Sequence, residues 1–109
     1  MSLMKGVLCM LEHLNNIIIG LDKLSSYNYK FNQKDIDELK KSLIGFKCEV
    51  LKNNLNNISL LELKNVSNLI YEINYENLFS ELTDYISNEL YAFEFLLQEK
   101  LKKDSYNKN

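Results

Sequence analysis

The sequence predicts an all-α protein that forms a small antiparallel bundle of about four helices with up-and-down topology. Dimerisation could complete this bundle. Three observations predict this fold class. Apolar residues recur at helical spacing in four stretches, short polar turns separate these stretches, and none of them alternates as a strand would. The chain also contains no proline and only three glycines, so little in it interrupts a helix.

The size of the chain is that of one domain. It has 109 residues, of which 46% are hydrophobic, and a domain of this size buries roughly two thirds of the surface that its unfolded chain exposes. Such a core needs neither a disulfide nor a metal ion to be stable. We therefore predict a single helical domain over 1–103, followed by a flexible basic tail over 104–109.

The first predicted helix, 3–24, carries a regular apolar seam. Its residues follow one another at alternating steps of four and three, which is the spacing of a heptad seam. Further apolar residues widen this face, as expected for a helix that packs against two or more neighbours. The seam consists of Leu3, Val7, Met10, Leu14, Ile17, Leu21 and Leu24.

The opposite side of this helix is small or polar, and it includes Cys9 and His13. These two residues are four apart and share a face, so they could form a thiolate–imidazole pair or half of a metal site. The chain has no second histidine, and sequence assigns no acid to orient His13. We therefore predict no catalytic residue, no metal ion and no cofactor.

The second predicted helix follows an irregular segment at 25–34. Tyr27, Tyr29 and Phe31 alternate with polar residues there, which favours an extended loop or a very short strand. Asn32 fits the N-cap of a helix that begins near Gln33. The core positions of that helix are Ile36, Leu39, Leu43, Phe46 and Val50.

The third predicted helix follows an asparagine-rich turn at 53–57. Ser59 and Glu62 have the spacing of a capping box, so we expect Ser59 to be the N-cap. Residues 74–77 fit either a break or a continuous helix. The core positions of the third helix are Leu60, Leu63, Val66, Leu69, Ile70 and Ile73.

The fourth predicted helix carries the last apolar seam. The seam starts at Leu78 or Phe79, and lysines near the end of the helix complement the negative end of the helix dipole. The seam continues through Leu82, Ile86, Leu90, Phe93, Leu97 and Leu101.

Several function classes find no support in the sequence. The three glycines are far apart, so there is no glycine-rich phosphate loop, and no small-molecule substrate is evident. No stretch is apolar enough to cross a membrane. The two cysteines lack metal-ligand spacing and fit free thiols in a reducing cytoplasm. High asparagine and lysine without arginine is typical of an AT-rich genome, which we expect to be bacterial.

The aromatic residues of the C-terminal half give the strongest functional signal. Tyr91 and Phe95 are four apart and fall on a second stripe, outside the core seam of the last helix. Large rings outside a core are common in interface centres. The sequence therefore predicts a non-enzymatic interaction or regulatory module, of the adaptor, chaperone or immunity-protein kind. We expect a homodimer or another protein partner.

An acidic rim is expected around these rings. Residues 53–99 carry one lysine and eight acids, and three of these acids lie on the last helix near the aromatic stripe. Such a rim would select basic partners. The predicted rim consists of Glu89, Glu94 and Glu99.

The alternative is a nucleic-acid-associated regulator. The second helix bears Lys34, Lys40, Lys41, Lys47 and Lys52, and the aromatic residues of the 27–31 loop lie just before it. Lysines with stacking aromatics are typical of single-strand binding. The absence of arginine and the acids on the same helix count against this alternative.

Overall fold

The computed structural model describes the backbone of residues 2–107 and the side chains of residues 5–104. This part of the chain forms four helices and no strand. The helices pack into a bundle of about 50 × 24 × 21 Å, which confirms the predicted fold class. They are α1 (Ser2–Leu24), α2 (Gln33–Lys52), α3 (Asn57–Glu76) and α4 (Glu81–Asn107).

The helices run up and down in chain order. Each packs against two neighbours, with α1 and α3 each lying between α2 and α4. The α1–α4 contact is the most extensive and the α2–α3 contact the least. Polar contacts join the end of one helix to the first half of the next, or the middles of both, as antiparallel packing requires. These contacts are Lys40 with Asp22, Ser59 with Glu49, and Ser67 with Glu94.

The core lies along the bundle axis and is built from the predicted seams. Phe46 of α2 and Phe93 of α4 meet there with ring centroids 5.9 Å apart. The five predicted core residues of α2 are all buried. In α1, Leu3 lies outside the described side chains, and Val7 is only partly buried. The other seam residues of α1 are fully buried, namely Met10, Leu14, Ile17, Leu21 and Leu24.

An asparagine caps each end of α2. The Asn32 side chain accepts a hydrogen bond from the backbone N–H of Lys34 at 2.9 Å, so the predicted N-cap is confirmed. At the other end, Asn53 adopts the left-handed region with φ of 56°. Asparagine tolerates this conformation better than most residues do, which explains why the helix ends there.

The predicted cap of α3 is wrong by three residues. The N-cap is Asn56, whose side chain accepts hydrogen bonds from the backbone N–H groups of Ile58 and Ser59. Ser59 completes this capping box from the third helical position, where its hydroxyl accepts from the Asn56 N–H at 3.1 Å. The helix starts earlier than expected because the asparagine run offers a cap before Ser59 is reached.

A turn separates α3 from α4, so the break at this point is real. The chain leaves α3 at Asn77, and Leu78 and Phe79 have φ of 57° and 54°. Both residues therefore lie in a left-handed turn and are exposed, and neither begins the core seam of α4 as the sequence predicted. That seam begins with Leu82, which is partly buried against the core.

The C-terminal end of α4 continues through Asn107. The predicted tail, 104–109, lies largely outside the described side chains. No helix in the described part of the chain has an apolar stretch long enough to cross a membrane.

Candidate interaction surfaces

Tyr91 and Phe95 lie on the outer side of α4 and are strongly exposed. Tyr91 is 68% exposed and Phe95 58%, although both are large rings in a bundle whose core is complete without them. Their spacing of four places them on one stripe, as the sequence predicted. We call this pair the aromatic stripe.

A cleft lies between α3 and α4, and Tyr91 of the aromatic stripe is a neighbour of Tyr71, which lines this cleft. The cleft has a volume of about 400 Å³, and Leu61, Tyr71, Glu94 and Gln98 are among its lining residues. Burial raises the pKa of Tyr71, and the neighbouring Glu94 carboxylate and the Tyr91 phenol raise it further. Tyr71, Tyr91 and Glu94 therefore form one local group at the mouth of the cleft.

The predicted acidic rim is only partly available at this surface. Glu94 accepts a hydrogen bond from the Ser67 hydroxyl of α3, and Glu89 faces α1 on the other flank of the helix. Glu99 is partly exposed, and its Oε1 lies 4.0 Å from the Lys102 Nζ. The predicted rim is not free because α4 lies between α1 and α3, and both of its flanks are used in packing.

Glu89 is the centre of a polar cluster between α1 and α4. Its carboxylate binds His13 Nδ1 and accepts a hydrogen bond from Asn16 Nδ2 at 2.8 Å. Burial alone would raise the pKa of Glu89, but hydrogen bonds from His13, Asn16 and Tyr85 outweigh burial and hold this pKa below its ordinary value. The cluster ties the polar side of α1 to α4, which explains why that side is not apolar.

His13 is paired with an acid from another helix. Sequence reasoning did not assign an acid to His13, because the acid comes from a helix 76 residues away. Cys9 lies one turn before His13 and is a free thiol. In the part of the chain that the structure describes, no three or more His, Cys, Asp or Glu residues come together as a metal site.

The 27–31 loop presents fewer aromatic rings than its sequence suggests. Tyr29 and Phe31 are partly buried and pack against the core, whereas Tyr27 is exposed. The rings of Tyr27 and Tyr29 meet edge to face with centroids 6.0 Å apart. Only Tyr27 is therefore well placed to stack on a ligand.

The same loop is held by a side chain that the sequence did not single out. Asn77, in the α3–α4 turn, accepts from the Lys30 N–H at 2.7 Å and donates to the Lys30 carbonyl at 2.8 Å. It also donates to the Ile73 carbonyl at the end of α3. One amide therefore joins the α1–α2 loop to the α3–α4 turn.

The lysines of α2 do not form a single free surface. Lys40 Nζ binds Asp22 Oδ1 at 2.6 Å, and this hydrogen bond raises the pKa of Lys40. Lys47 is partly buried, whereas Lys34, Lys41 and Lys52 are exposed. A phosphate-binding role would therefore depend on the last three.

Comparison of the chain with models of protein families, with curated proteins and with solved structures gave no match.

Proposed function

We propose that the protein is a non-enzymatic interaction or regulatory module, of the adaptor, chaperone or immunity-protein kind, that works as a homodimer. Its proposed contact surface is the aromatic stripe of α4 together with the adjoining part of α3. The observation that carries this proposal is the strong exposure of Tyr91 and Phe95, two large rings that lie outside the buried core.

The energetics of the stripe favour association. Tyrosine and phenylalanine side chains bury 150–250 Å² each when they become covered, by the usual range for aromatic residues. Removing such apolar surface from water is worth about 25 cal/mol per Å², before the cost of association is counted. Two exposed rings on adjacent turns are therefore a natural centre for an interface.

The local charge favours a second copy of the chain. Glu89 is turned towards α1 and away from the stripe, so the stripe is less acidic than the sequence predicted, although Glu94 keeps its charge when it accepts a hydrogen bond from Ser67. Fewer free carboxylates reduce the repulsion between two identical surfaces. A two-fold axis through the stripe would pack Tyr91 of one copy against Phe95 of the other, which is the self-complementary arrangement of a symmetric dimer.

Alanine substitution tests which surface associates. We expect Tyr91→Ala and Phe95→Ala each to weaken dimerisation by about tenfold or more, because central aromatic residues dominate interface energies. The measurement is sedimentation velocity over a range of protein concentrations. The folded state of each variant is checked by thermal unfolding, which we expect to change little because both side chains are exposed.

Tyr75→Ala is the matched control for these two variants. Tyr75 is as exposed as Tyr91, but it lies near the end of α3 and packs edge to face on Phe79. We expect the control to associate like the unmodified chain. Equal association of all variants would refute the assignment of the stripe.

The nucleic-acid alternative has less support from the contacts. Tyr29 and Phe31 pack against the core, and Lys40 is bound to Asp22. Binding through the remaining lysines would weaken steeply with salt, because it releases counterions from phosphate. A gel shift with mixed nucleic acid at low salt tests this alternative, and a complete lack of retardation would remove it.

A further inference from the structure

A cleft lies where α1, the 27–31 loop and the start of α4 meet, apart from the aromatic stripe. It has a volume of about 420 Å³, which is within the usual range of ligand-binding pockets. Ile19 and Tyr27 line it and are 53% and 64% exposed, so its apolar walls are open to solvent. We call it the tyrosine cleft. Its aromatic residues are Tyr27, Tyr29 and Tyr85.

The three tyrosines approach the cleft from two sides. Tyr27 and Tyr29 come from the loop, and their ring planes are 78° apart, with the centroids 6.0 Å from each other. Because these planes are nearly perpendicular, the two rings form two walls of a corner. Tyr85 lines the same cleft from α4 and is 45% exposed. Faces of aromatic rings are negative and attract cations, including quaternary ammonium groups.

The cleft also has one charged side chain of each sign. Lys23 lies in the last turn of α1, and Glu81 is the first residue of α4. Both are exposed, and among the described side chains, 5–104, neither takes part in an ion pair. Glu81 precedes Tyr85 by one helical turn, so this carboxylate and this ring share a face of α4. The cleft therefore offers a cation and an anion to a ligand that carries both charges.

The polar groups at the inner side of the cleft already have partners. Asn16 Nδ2 donates a hydrogen bond to the Glu89 carboxylate, and the Tyr85 hydroxyl binds the same carboxylate. Ring faces and the two exposed charges are therefore the main groups left for a ligand. This arrangement suits a quaternary ammonium group, which has no N–H to donate and needs no hydrogen-bond acceptor.

We propose that the tyrosine cleft binds a small zwitterion that carries a quaternary ammonium group. The ammonium group lies against the tyrosine rings near Glu81, and Lys23 binds the anionic end of the ligand. Free betaines and the phosphocholine headgroup of lipids share this chemistry. The site goes beyond the proposed dimer surface and is independent of it, because neither Tyr91 nor Phe95 lines the cleft.

Glycine betaine is the first probe, and two isosteres test its charges. Its titration into the full chain across the millimolar range should give saturable NMR shift changes at the Tyr27 and Tyr85 rings. In tert-butylacetate a carbon atom replaces the nitrogen, so the shape stays and the positive charge is lost. We expect this isostere to bind about fivefold more weakly or less. Choline lacks the carboxylate and should bind about two- to threefold more weakly, because a contact with an exposed lysine contributes little.

Substitutions of Tyr27 locate the ring contact. Tyr27→Leu should weaken betaine binding by about fivefold or more, whereas Tyr27→Phe keeps the ring face and should retain most of the binding. Tyr27 is largely exposed, so we expect both variants to fold. Tyr75→Leu is the control, because Tyr75 is also strongly exposed but does not line the cleft.

Substitutions of the two charged residues test the orientation of the ligand. Glu81→Gln should weaken the binding of both betaine and choline, because it removes the carboxylate beside the ammonium group. Lys23→Gln should weaken the binding of betaine alone, because choline has no anionic end. Equal effects of Lys23→Gln on the two ligands would overturn the proposed orientation.

Vesicles distinguish the two sources of the ligand. Flotation with phosphatidylcholine vesicles, with phosphatidylglycerol vesicles as the control, tests the lipid headgroup, and free phosphocholine is titrated beside betaine. Binding of the free zwitterions alone assigns the cleft to a free ligand, and binding of phosphatidylcholine vesicles as well assigns it to the headgroup.

Three results would overturn the proposal. They are no saturable shift with either free zwitterion, equal binding of betaine and tert-butylacetate, and equal weakening by Tyr75→Leu and Tyr27→Leu. Phe95→Ala should leave betaine binding unchanged. Failure of the dimer proposal and failure of this one are therefore distinguishable.

Discussion

Gly20 of α1 lies directly against Ile86 of α4. A Cβ built at Gly20 would stand 2.6 Å from Ile86 Cγ1, closer than carbon atoms approach each other, and 3.1 Å from its Cδ1. Gly20 is buried and Ile86 is almost fully buried, so the isoleucine has little room to move. The close approach of α1 and α4, which forms the most extensive contact of the bundle, therefore depends on the absence of a side chain at this position.

Substitution of Gly20 and of Gly45 by alanine should change the free energy of unfolding in opposite directions. We expect Gly20→Ala to lower the free energy of unfolding by about 1–3 kcal/mol, because overpacking forces Ile86 or the helix to shift. Gly45→Ala should raise it by about 0.5–1 kcal/mol, because the new methyl group meets open space and the helix gains propensity. Urea denaturation measures both effects. A stabilising Gly20→Ala would contradict the packing described for α1 and α4.

The Glu89 cluster should make stability depend on acidic pH. The pKa of Glu89 lies below its ordinary value of 4.5 because hydrogen bonds outweigh burial. The stabilisation from this carboxylate is therefore complete above about 4.5 and is lost as the pH falls through the folded-state pKa. Glu89→Gln should lower stability at neutral pH by about 1–2 kcal/mol and reduce the further loss on acidification.

Urea denaturation between pH 7 and pH 3 measures this dependence, with Glu72→Gln as the control. Glu72 is exposed, so its substitution should leave the pH profile of stability nearly as it is in the unmodified chain. If Glu89→Gln and the unmodified chain lost the same free energy on acidification, Glu89 would not be the group responsible.

The Asn77 bridge should hold the α1–α2 loop in place. Asn77→Ala removes three hydrogen bonds, two to Lys30 and one to Ile73, so we expect a loss of about 1–3 kcal/mol. Hydrogen exchange at residues 27–31 should become faster. Asn68→Ala, at an exposed helical position, is the control and should change neither quantity by much. Unaltered exchange in Asn77→Ala would show that the loop is held by its aromatic packing alone.

The left-handed turn between α3 and α4 should accept glycine. Leu78 has φ of 57° and is 86% exposed, so its side chain contributes strain without packing. Leu78→Gly should raise stability by about 0.5–1 kcal/mol, net of the extra freedom of glycine in the unfolded chain. Leu8→Gly, at an exposed position in the interior of α1, should instead lower it by about 1 kcal/mol. Thermal unfolding measures whether each substitution raises or lowers the stability of the protein.

The sequence predicted the bundle because local periodicity determines which helix face is buried. The seam from Met10 to Leu24 and the α2 core from Ile36 to Val50 can be identified without any tertiary information, and both are buried. The cap of α3 was misplaced because several asparagines in a row can each serve as a cap, and propensity alone does not choose between them. The sequence favours a helix at Leu78 and Phe79, because bulky residues rarely adopt positive φ.

The surface was harder to predict than the core. Tyr91 and Phe95 could be identified because they fall outside the seam of their own helix. The partners of Glu89 and Glu94 could not, because His13 and Ser67 come from other helices, and pairing across helices depends on rotation and height in the bundle. The cleft between α2 and α3 cannot be predicted for the same reason, since small residues at Ser42 and Gly45 show their effect only when the neighbouring helix is in place.

The most direct test of the proposed function is the mass of the unmodified chain in solution. Size exclusion with light scattering, over a tenfold range of concentration and at two salt levels, measures it. The aromatic stripe predicts a dimer of twice 12.8 kDa that persists at the higher salt concentration, because its contacts are apolar. A mass of 12.8 kDa at every concentration and both salt levels would contradict the homodimer.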